Sequence, residues 1–247
     1  MSEQRIFNRD SFLDNIAKQL GRERITAPVV RPNFKYNCHK DIFAGKSQDE
    51  LKAILVDYTE TTLASQAVVT TKDKLTETLR NVCFHYCTDD GEGLNPIGET
   101  IFTADNRLLD IVNPKDLAEK QHGVYIWDHS AGYEANIAVA ERAKVGVVFA
   151  EQALAESGTM VLYSQAAQGR AVSLLPEASI FIVPKSNIVP RLTQATELLH
   201  QKAQNGERIP SCVNFISGPS STADIELIKV VGVHGPVFAT YIIIDDM

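Results

Sequence analysis

The stretch GVYIWDHSAGYEANIAVAERAKVGVVFA, residues 123–150, contains a complete strand–helix–strand pattern. Residues 123–127 form a short apolar run, residues 133–143 are rich in alanine and predict a helix, and residues 145–150 form a second apolar run. Strands of a parallel sheet are covered by helices on both faces, so they lose the alternation of apolar and polar side chains. The pattern therefore predicts a β–α–β unit within a parallel sheet.

Helical and strand-like segments continue to alternate on both sides of this unit. Helices are predicted over residues 47–63 and 72–84, and a longer one is predicted to have Pro190 in its first turn and Gly206 just past its end. Further strands are predicted over residues 67–70, 159–163, 180–183, 212–216 and 238–244. Gly91, Gly93, Pro96 and Gly98 predict a break in the chain. We therefore expect one α/β domain over residues 35–247, with a mainly parallel sheet flanked by helices.

The first 34 residues predict a separate helical arm and linker. Residues 8–20 have an amphipathic pattern, and residues 24–34 contain two prolines and no period. The apolar stripe consists of Phe12, Leu13, Ile16 and Leu20. Asn8 or Asp10 can cap the start of the helix, and Gly21 can end it. Such an arm either docks on its own domain or binds a partner, and the sequence leaves both alternatives open.

Composition excludes several classes of function. Lys and Arg total 24 against 31 Asp and Glu, so the formal net charge is −7, which disfavours binding to a nucleic-acid backbone. Apolar residues make up 44% of the chain and charged residues 22%, as in ordinary globular domains. The N-terminus has no apolar signal segment and every apolar run is strand-sized, so we expect a cytoplasmic protein without a membrane span.

Familiar cofactor motifs are incomplete in this chain. Gly45-Lys46-Ser47 resembles the end of a phosphate-binding loop, but Lys40 stands where the loop needs its first glycine. The sequence Gly91-x-Gly93-x-x-Pro96 lacks the third glycine of a dinucleotide fingerprint. We therefore expect no resident cofactor.

Two cysteines raise the question of a metal site. Cys83 and Cys87 share one helix face, with His85 away from it, and supply half of a zinc site that Cys38 and His39 would have to complete. Burial as structural cysteines is the favoured interpretation. We therefore expect no metal.

Three segments carry candidate functional residues. Glu156 and Gly158 lie between two apolar strands, where a glycine lets a ligand approach the backbone, although Glu156 also fits a surface turn. Residues 215–226 predict a strand, a loop of small residues and the start of a helix, whose free N–H groups suit a carboxylate or phosphate, or are simply capped by Ser and Thr. The candidate ligand-binding residues of this segment are Ser217, Gly218, Ser220, Ser221, Thr222 and Asp224.

Histidines supply the third candidate. His234 lies between two close glycines, which exposes its ring, so it either binds an anion, moves a proton or simply makes a turn hydrogen bond. Asp128-His129-Ser130 is a weaker candidate because it follows a buried strand, at the end where α/β folds place ligands. Glu156 and His234 are the candidate catalytic residues, but no nucleophile and base pair at a predictable distance.

Four segments, in this order and spacing, resemble one family. They are ALAESGTMVL (153–162), SLLPEASIFIVP (173–184), ISGPSSTADIE (216–226) and VVGVHGP (230–236). The chain resembles the lactate utilization protein C (LutC, YkgG) family, whose members carry a LUD domain. The resemblance implies an α/β domain of the NagB/RpiA/CoA-transferase-like type. It also implies a role in oxidising L-lactate to pyruvate beside two partner subunits that hold iron–sulfur clusters.

One departure from the family pattern affects the expected anion site. A basic residue often follows Gly-Pro-Ser in the family, and this chain has Ser221 there. The family's usual glycine-rich stretch also reads differently here, over residues 164–170. Arg170 is the residue that we expect to supply the missing positive charge.

The leading hypothesis is an accessory subunit, without clusters of its own, of an L-lactate-oxidising complex. Its cleft at the edge of the sheet, where we expect Glu156, the helix start at Ser220, Ser221 and Thr222, Asp224 and His234 to converge, would bind a small carboxylate or phosphate, or a segment of a partner. The first alternative is a free-standing enzyme, CoA-transferase-like, isomerase-like or folate-ligase-like, in which Glu156 acts as nucleophile or base. The second alternative is a ligand-sensing module.

Overall fold

The computed structural model describes residues 7–28, 30, 32–88, 97–224 and 226–247. The chain divides into two compact units, Met1–Cys38 and His39–Met247. Within the described residues, the strands are β1 (Gln66–Thr70), β2 (Ile97–Phe102), β3 (Gln121–Ile126), β4 (Val145–Phe149), β5 (Gln152–Leu154), β6 (Thr159–Tyr163), β7 (Ala178–Pro184), β8 (Ile188–Val189), β9 (Val213–Ser217), β10 (Ser221–Thr222), β11 (Val230–Val231) and β12 (Phe238–Ile244).

Among the described residues, three helices precede β1 and five lie between strands, as the alternating pattern predicts. They are α1 (Arg9–Gln19), α2 (Cys38–Asp41), α3 (Gln48–Thr61), α4 (Leu75–Tyr86), α5 (Asn106–Leu109), α6 (Gly132–Arg142), α7 (Ala171–Leu174) and α8 (Leu192–Gln204). Short 3-10 turns cover Lys72–Lys74, Pro114–Leu117, His129–Ala131 and Lys185–Asn187. No helix in the described ranges is both long enough and apolar enough to cross a bilayer.

The larger unit is built on a six-stranded sheet in which every pair of neighbours is parallel. The order of strands is β1-β12-β7-β4-β2-β3. From β2 the chain goes to β3 on one side and then crosses back to β4 on the other side. The two directions of winding therefore separate between β2 and β4, which is where open α/β sheets form a crevice at their carboxyl ends.

Both faces of this sheet are apolar, which explains the continuous apolar runs in the sequence. Along β4, Val148 joins the core that contains Leu51 and Leu55 of α3, whereas Val147 joins the core that contains Leu75 and Leu79 of α4. Adjacent residues of one strand point to opposite faces. The predicted α/β fold, a parallel sheet flanked by helices, is confirmed.

A second sheet of four strands, in the order β8-β5-β6-β9, was not predicted. β5 pairs antiparallel with β6, and β6 with β9, whereas β5 pairs parallel with β8. One face packs on α8 through Val161, Tyr163 and Ala195, while Met160 and Leu162 face the core shared with the first sheet. The predicted strands at 159–163 and 212–216 therefore belong to a separate layer.

Two further sequence predictions need correction. Residues 221–224 do not start a helix, because Ser221–Thr222 form a short strand that pairs antiparallel with Val230–Val231. Asn8 precedes α1 but its side chain makes no capping hydrogen bond. The predicted break at Gly91, Gly93 and Pro96 lies outside the described residues, and Gly98 lies inside β2.

The N-terminal unit contains the predicted amphipathic helix as α1. Arg24, beyond the helix, pairs with Asp10 at 2.6 Å and with Asp14 at 3.2 Å, so the start of the linker is held against the helix. Within this unit the apolar side chains of Phe12, Ile16 and Leu20 are exposed. The boundary between arm and domain at residues 34 and 35 stays a prediction.

Candidate functional site

Some of the predicted site residues meet around one cavity of about 290 Å³, here called the loop cavity. Its lining comes from the end of β9 and the following loop, from the loop before β12, from α7 and from β7. The lining residues are Ser173, Leu174, Ser179, Phe181, Phe215, Ile216, Ser217, Gly218, Pro219, Ser220, His234, Gly235 and Pro236. Four candidates, Ser217, Gly218, Ser220 and His234, are therefore brought together.

A buried tyrosine of β12 fixes the walls next to this cavity. The hydroxyl of Tyr241 accepts a hydrogen bond from the Gly218 N–H at 2.7 Å and donates one to the Gly158 carbonyl at 2.7 Å. Gly158 and Gly218 both have positive φ, 56° and 65°. A Cβ at Gly158 would lie 2.6 Å from Leu63 Cδ1, so both conformation and space require glycine there. The predicted Gly158 and Gly218 are thus joined through Tyr241, which the sequence analysis missed.

The hydroxyl and main-chain groups of the loop cavity are uncharged and mostly satisfied. The hydroxyls of Ser217 and Thr159 share a hydrogen bond at 2.6 Å, and the Ser220 N–H donates to the Pro236 carbonyl at 2.9 Å. His234 is exposed beside them. The cavity therefore offers an imidazole and a serine at its wall, in a setting without a carboxylate among its lining residues.

The other predicted residues lie outside the loop cavity. Glu156 forms an ion pair with Arg191 at 2.9 Å, and Arg170 donates from Nε to Asn214 Oδ1 at 3.2 Å. Thr222 donates to Asp224 Oδ2 at 2.7 Å beside the strand that contains Ser221. The expected convergence of a helix start, an imidazole and the Glu156 carboxylate on one hollow is therefore wrong.

A larger hollow of about 950 Å³ lies where three parallel strands end, and we call it the sheet-edge cleft. Asp105 follows β2, Trp127 and His129 follow β3, and Glu151 follows β4. The full lining is Ala104, Asp105, Asn106, Arg107, Trp127, His129, Glu151, Tyr163, Ser164, Gln165, Ala166, Ala167, Lys202, Arg208, Ile209, Pro210 and Ser211. The cleft thus occupies the switch point between β2 and β4.

An ionic cluster lies at the carboxyl ends of β2 and β4. Arg107 donates to both oxygens of Asp105, at 3.0 and 3.2 Å from Nε, and to both oxygens of Glu151, at 2.8 and 2.6 Å. Burial disfavours the charge of Arg107, but the hydrogen bonds to Asp105 and Glu151 outweigh burial and raise the pKa of the guanidinium. The Asp105 side chain is 6% exposed and the Glu151 side chain 18%, so the cluster is a fixed, mostly buried part of the cleft.

Two hydroxyls of the cleft wall are buried without partners. Among the described residues, Tyr163 Oη and Ser164 Oγ have no hydrogen-bond partner, and both residues line the cleft. Burial raises the pKa of Tyr163, and the negative charge of Glu151 raises it further, so the phenol stays protonated. Each hydroxyl can therefore donate a hydrogen bond to a ligand.

The sequence analysis anticipated only one edge of this cleft. His129 was a candidate because it follows a buried strand, whereas Asp105, Arg107, Glu151 and Tyr163 were missed. The signal that could have found Glu151 is its place directly after the apolar run 145–150. Asp105 and Arg107 follow β2, a strand that the sequence did not reveal.

The cysteines do not converge on a metal site in the described ranges. Cys83 and Cys87 are fully buried, and burial raises the pKa of both thiols. No cluster of three or more His, Cys, Asp or Glu side chains with metal-binding geometry occurs among the described residues. The prediction that these two cysteines are buried is confirmed.

Comparisons with known proteins identify the family. The sequence profile of the LUD domain matches residues 52–244. The chain is 44% identical over 241 residues to lactate utilization protein C of Macrococcus caseolyticus, covering 98% of this chain and 97% of that protein. It is 43% identical to the uncharacterized protein YkgG of Escherichia coli, covering 97% and 99% of the two chains.

A solved structure supports the fold. The crystal structure of a DUF162 family protein from Deinococcus radiodurans superposes with a TM-score of 0.54 over 81% of this chain and 99% of that chain, at 16% identity. Identity this low bears on the fold alone. The sequence match and the fold lead to one conclusion: the chain belongs to the lactate utilization protein C (YkgG) family of LUD-domain proteins.

Proposed function

We propose that this chain is an accessory subunit, without iron–sulfur clusters of its own, of a cytoplasmic complex that oxidises L-lactate to pyruvate. The observation that carries the proposal is the identity of 44% with a lactate utilization protein C along 98% of the chain. Similarity of this extent covers both the N-terminal arm and the α/β domain. The proposed partners are the subunits of the complex that hold iron–sulfur clusters.

The loop cavity is the proposed contact with those partners. Its lining residue Phe215 is 41% exposed, and Val231 and Val233, close to His234 in sequence, are 42% and 44% exposed. Leu227, in the connection between β10 and β11, is 92% exposed. Exposed apolar side chains around a concave site are typical of protein–protein contacts. An exposed imidazole at such a site suits recognition of a carboxylate on the partner.

Co-purification tests this proposal. A tagged full-length chain, expressed in its native host during growth on L-lactate, is expected to retain proteins with the visible absorbance of iron–sulfur clusters. Val233→Asp should abolish that retention, because it places a charge in the apolar surface at the cavity. Val69→Asp is the matched control, since Val69 has a similar exposure of 47% on edge strand β1.

Two results would contradict the proposal. The first is isolation of the chain without cluster-bearing proteins under these conditions. The second is undiminished growth on L-lactate after deletion of its gene. Circular dichroism of both valine variants shows whether a lost contact reflects lost folding.

A free-standing enzyme is the second candidate, and the position of Glu151 favours it. Glu151 borders the sheet-edge cleft beside the Tyr163 hydroxyl, whereas Glu156 lines neither hollow. If the isolated chain transferred CoA from an acyl-CoA to a second carboxylate, releasing the first acid, Glu151→Gln should remove the activity and Glu156→Gln should retain it. The accessory-subunit proposal predicts no turnover by either variant or by the unaltered chain.

A further inference from the structure

The sheet-edge cleft has features of a ligand site that the proposed partner contact does not use. The two hollows share no lining residue: the cleft lies at the carboxyl ends of β2, β3 and β4, and the loop cavity follows β9. A volume of about 950 Å³ suits an organic molecule larger than lactate. The cleft therefore raises a question of its own, namely which chemistry it would bind.

The ionic cluster of the cleft is already neutralised internally and does not supply a free positive charge. Arg107 meets two carboxylates, Asp105 and Glu151, so the three groups together carry a formal charge of about −1 at neutral pH. The guanidinium also lies over the Phe149 ring, 4.9 Å from its centre. This cluster is a rigid, acidic part of the cleft that accepts hydrogen bonds from a ligand's hydroxyl or amino groups.

The positive charge available to a ligand lies on another part of the lining, in and after α8. Arg208 lines the cleft and forms no ion pair among the described residues. Lys202 also lines it and is 3.4 Å from Glu207, a long and exposed pairing. Arg208 and Lys202 form a positive side of the cleft, opposite in sign to the Asp105–Glu151 cluster. An anionic group is therefore favoured on that side.

The unpartnered hydroxyls of Tyr163 and Ser164 restrict where a ligand's hydrogen-bond acceptors can lie. Tyr163 is only 8% exposed, so more than nine-tenths of it is buried, yet its hydroxyl lacks a partner among the described residues. Leaving such a group unsatisfied is unfavourable, and a ligand acceptor would recover that loss. The neighbouring Ser164 Oγ has the same property. All four unpartnered buried side-chain atoms in the described chain belong to residues 152–168.

We propose that the sheet-edge cleft binds an organic anion whose carboxylate or phosphate group pairs with Arg208 and whose acceptor oxygens receive hydrogen bonds from Tyr163 and Ser164. Hydroxyl groups on the same molecule would donate to Glu151. This inference stands apart from membership of a lactate-oxidising complex, because it concerns the isolated chain and different residues.

The chain contains a built-in reporter for the test. Trp127 is its single tryptophan and lines the cleft. Its indole N–H donates to the Ala166 carbonyl at 3.0 Å, so a ligand that moves the 164–167 wall changes its surroundings. We would titrate the purified full-length chain with L-lactate, pyruvate, inorganic phosphate and ADP, following tryptophan emission, with glycerol as the uncharged control.

The expected result is saturable quenching or a shift in emission with at least one of these anions and none with glycerol. Response to lactate or pyruvate identifies a carboxylate ligand, and response to phosphate or ADP identifies a phosphate ligand. Arg208→Gln should raise the Kd about tenfold or more, as expected for loss of a charged hydrogen bond. Lys229→Gln removes the same charge outside the cleft lining and should leave the Kd unchanged.

Tyr163→Phe separates a binding role from a structural one. It should weaken binding about threefold to tenfold, the range for a neutral hydrogen bond, while leaving the unfolding temperature of the free chain unchanged or higher. A purely structural hydroxyl would give the opposite pattern, with lower stability and unchanged affinity. Lower stability with unchanged affinity in Tyr163→Phe would overturn the proposal. So would the absence of any response to the four anions, or an equal response in Arg208→Gln and the unaltered chain.

Discussion

The loop cavity and the sheet-edge cleft differ in how the chain builds them. Most of the loop cavity comes from two short stretches, residues 215–220 and 234–236, held by neutral hydrogen bonds. The cleft gathers residues spread from Ala104 to Ser211, held by an ionic cluster at the sheet edge. The loop cavity therefore depends on local sequence, whereas the sheet-edge cleft depends on the order of strands in the sheet. The conspicuous sequence motif therefore does not coincide with the larger of the two hollows.

The largest expected effect is loss of Arg107 from the cleft. Arg107→Met leaves Asp105 and Glu151 close together without their cation, and such a loss from a buried pair costs about 3 kcal/mol or more. Arg191→Met is the matched control, because Arg191 pairs with one carboxylate, Glu156, whose side chain is 36% exposed, and such a pair is worth about 1 kcal/mol or less. Urea unfolding of both variants measures the difference. Equal losses would show that the ionic cluster does not frame the cleft.

Tyr241→Phe tests the frame of the loop cavity in the same way. It leaves the Gly218 N–H and the Gly158 carbonyl without their shared partner, so the free energy of unfolding should fall by about 1–3 kcal/mol. Tyr133→Phe, at an exposed tyrosine of α6, should change it by less than about 0.5 kcal/mol. A loss in Tyr241→Phe no greater than in this control would contradict the bridging role.

Two glycine substitutions compare the walls of the two sites. A Cβ at Gly169 would lie 2.1 Å from the Trp127 ring, whereas a Cβ at Gly235 would lie 3.2 Å from Ser220 Cβ. Gly169→Ala should therefore cost about 1–3 kcal/mol and shift tryptophan emission, because the indole must move. Gly235→Ala should cost less and leave the emission unchanged. Thermal unfolding followed by fluorescence reports both quantities, and an unshifted emission in Gly169→Ala would contradict the packing of this wall.

The smallest stability effect is expected at His234. The imidazole is exposed, so His234→Ala should change the free energy of unfolding by less than about 0.5 kcal/mol. The same variant should weaken retention of the proposed cluster-bearing partners. Denaturation and co-purification, measured on one preparation, check both parts. A large stability loss with intact retention would make His234 a structural residue.

The sequence predicts the elements of this fold best where apolar runs are continuous. The strands within residues 145–150 and 238–244 are predictable because both faces of β4 and β12 are buried, which makes their sequences continuously apolar. β2 was missed because its first half contains Gly98 and Glu99, and only its last three residues are fully buried. Glu99 points to Arg142, at 2.5 Å, so the strand carries a charge that apolar patterning does not anticipate.

The candidate site shows a different limit of sequence reasoning. Ser221, Thr222 and Asp224 have the composition of a helix cap, but Thr222 and Asp224 bond to each other and Ser221 pairs with Val231. Such residues make local hydrogen bonds both at the start of a helix and in a turn after a strand, so their sequence does not decide between these two structures. The Arg107 cluster depends on strand order, since Asp105 and Glu151 are 46 residues apart and meet only because β2 and β4 pair.

Hydrogen–deuterium exchange on the assembled complex tests the central division between the two sites most directly. With the chain isolated from lactate-grown cells together with its partners, the account predicts slower exchange over residues 215–238 than in the free chain. It predicts unchanged exchange over residues 104–107 and 163–168, which border the open cleft. Protection of the cleft segments by the partners, with the 215–238 region unaffected, would contradict it.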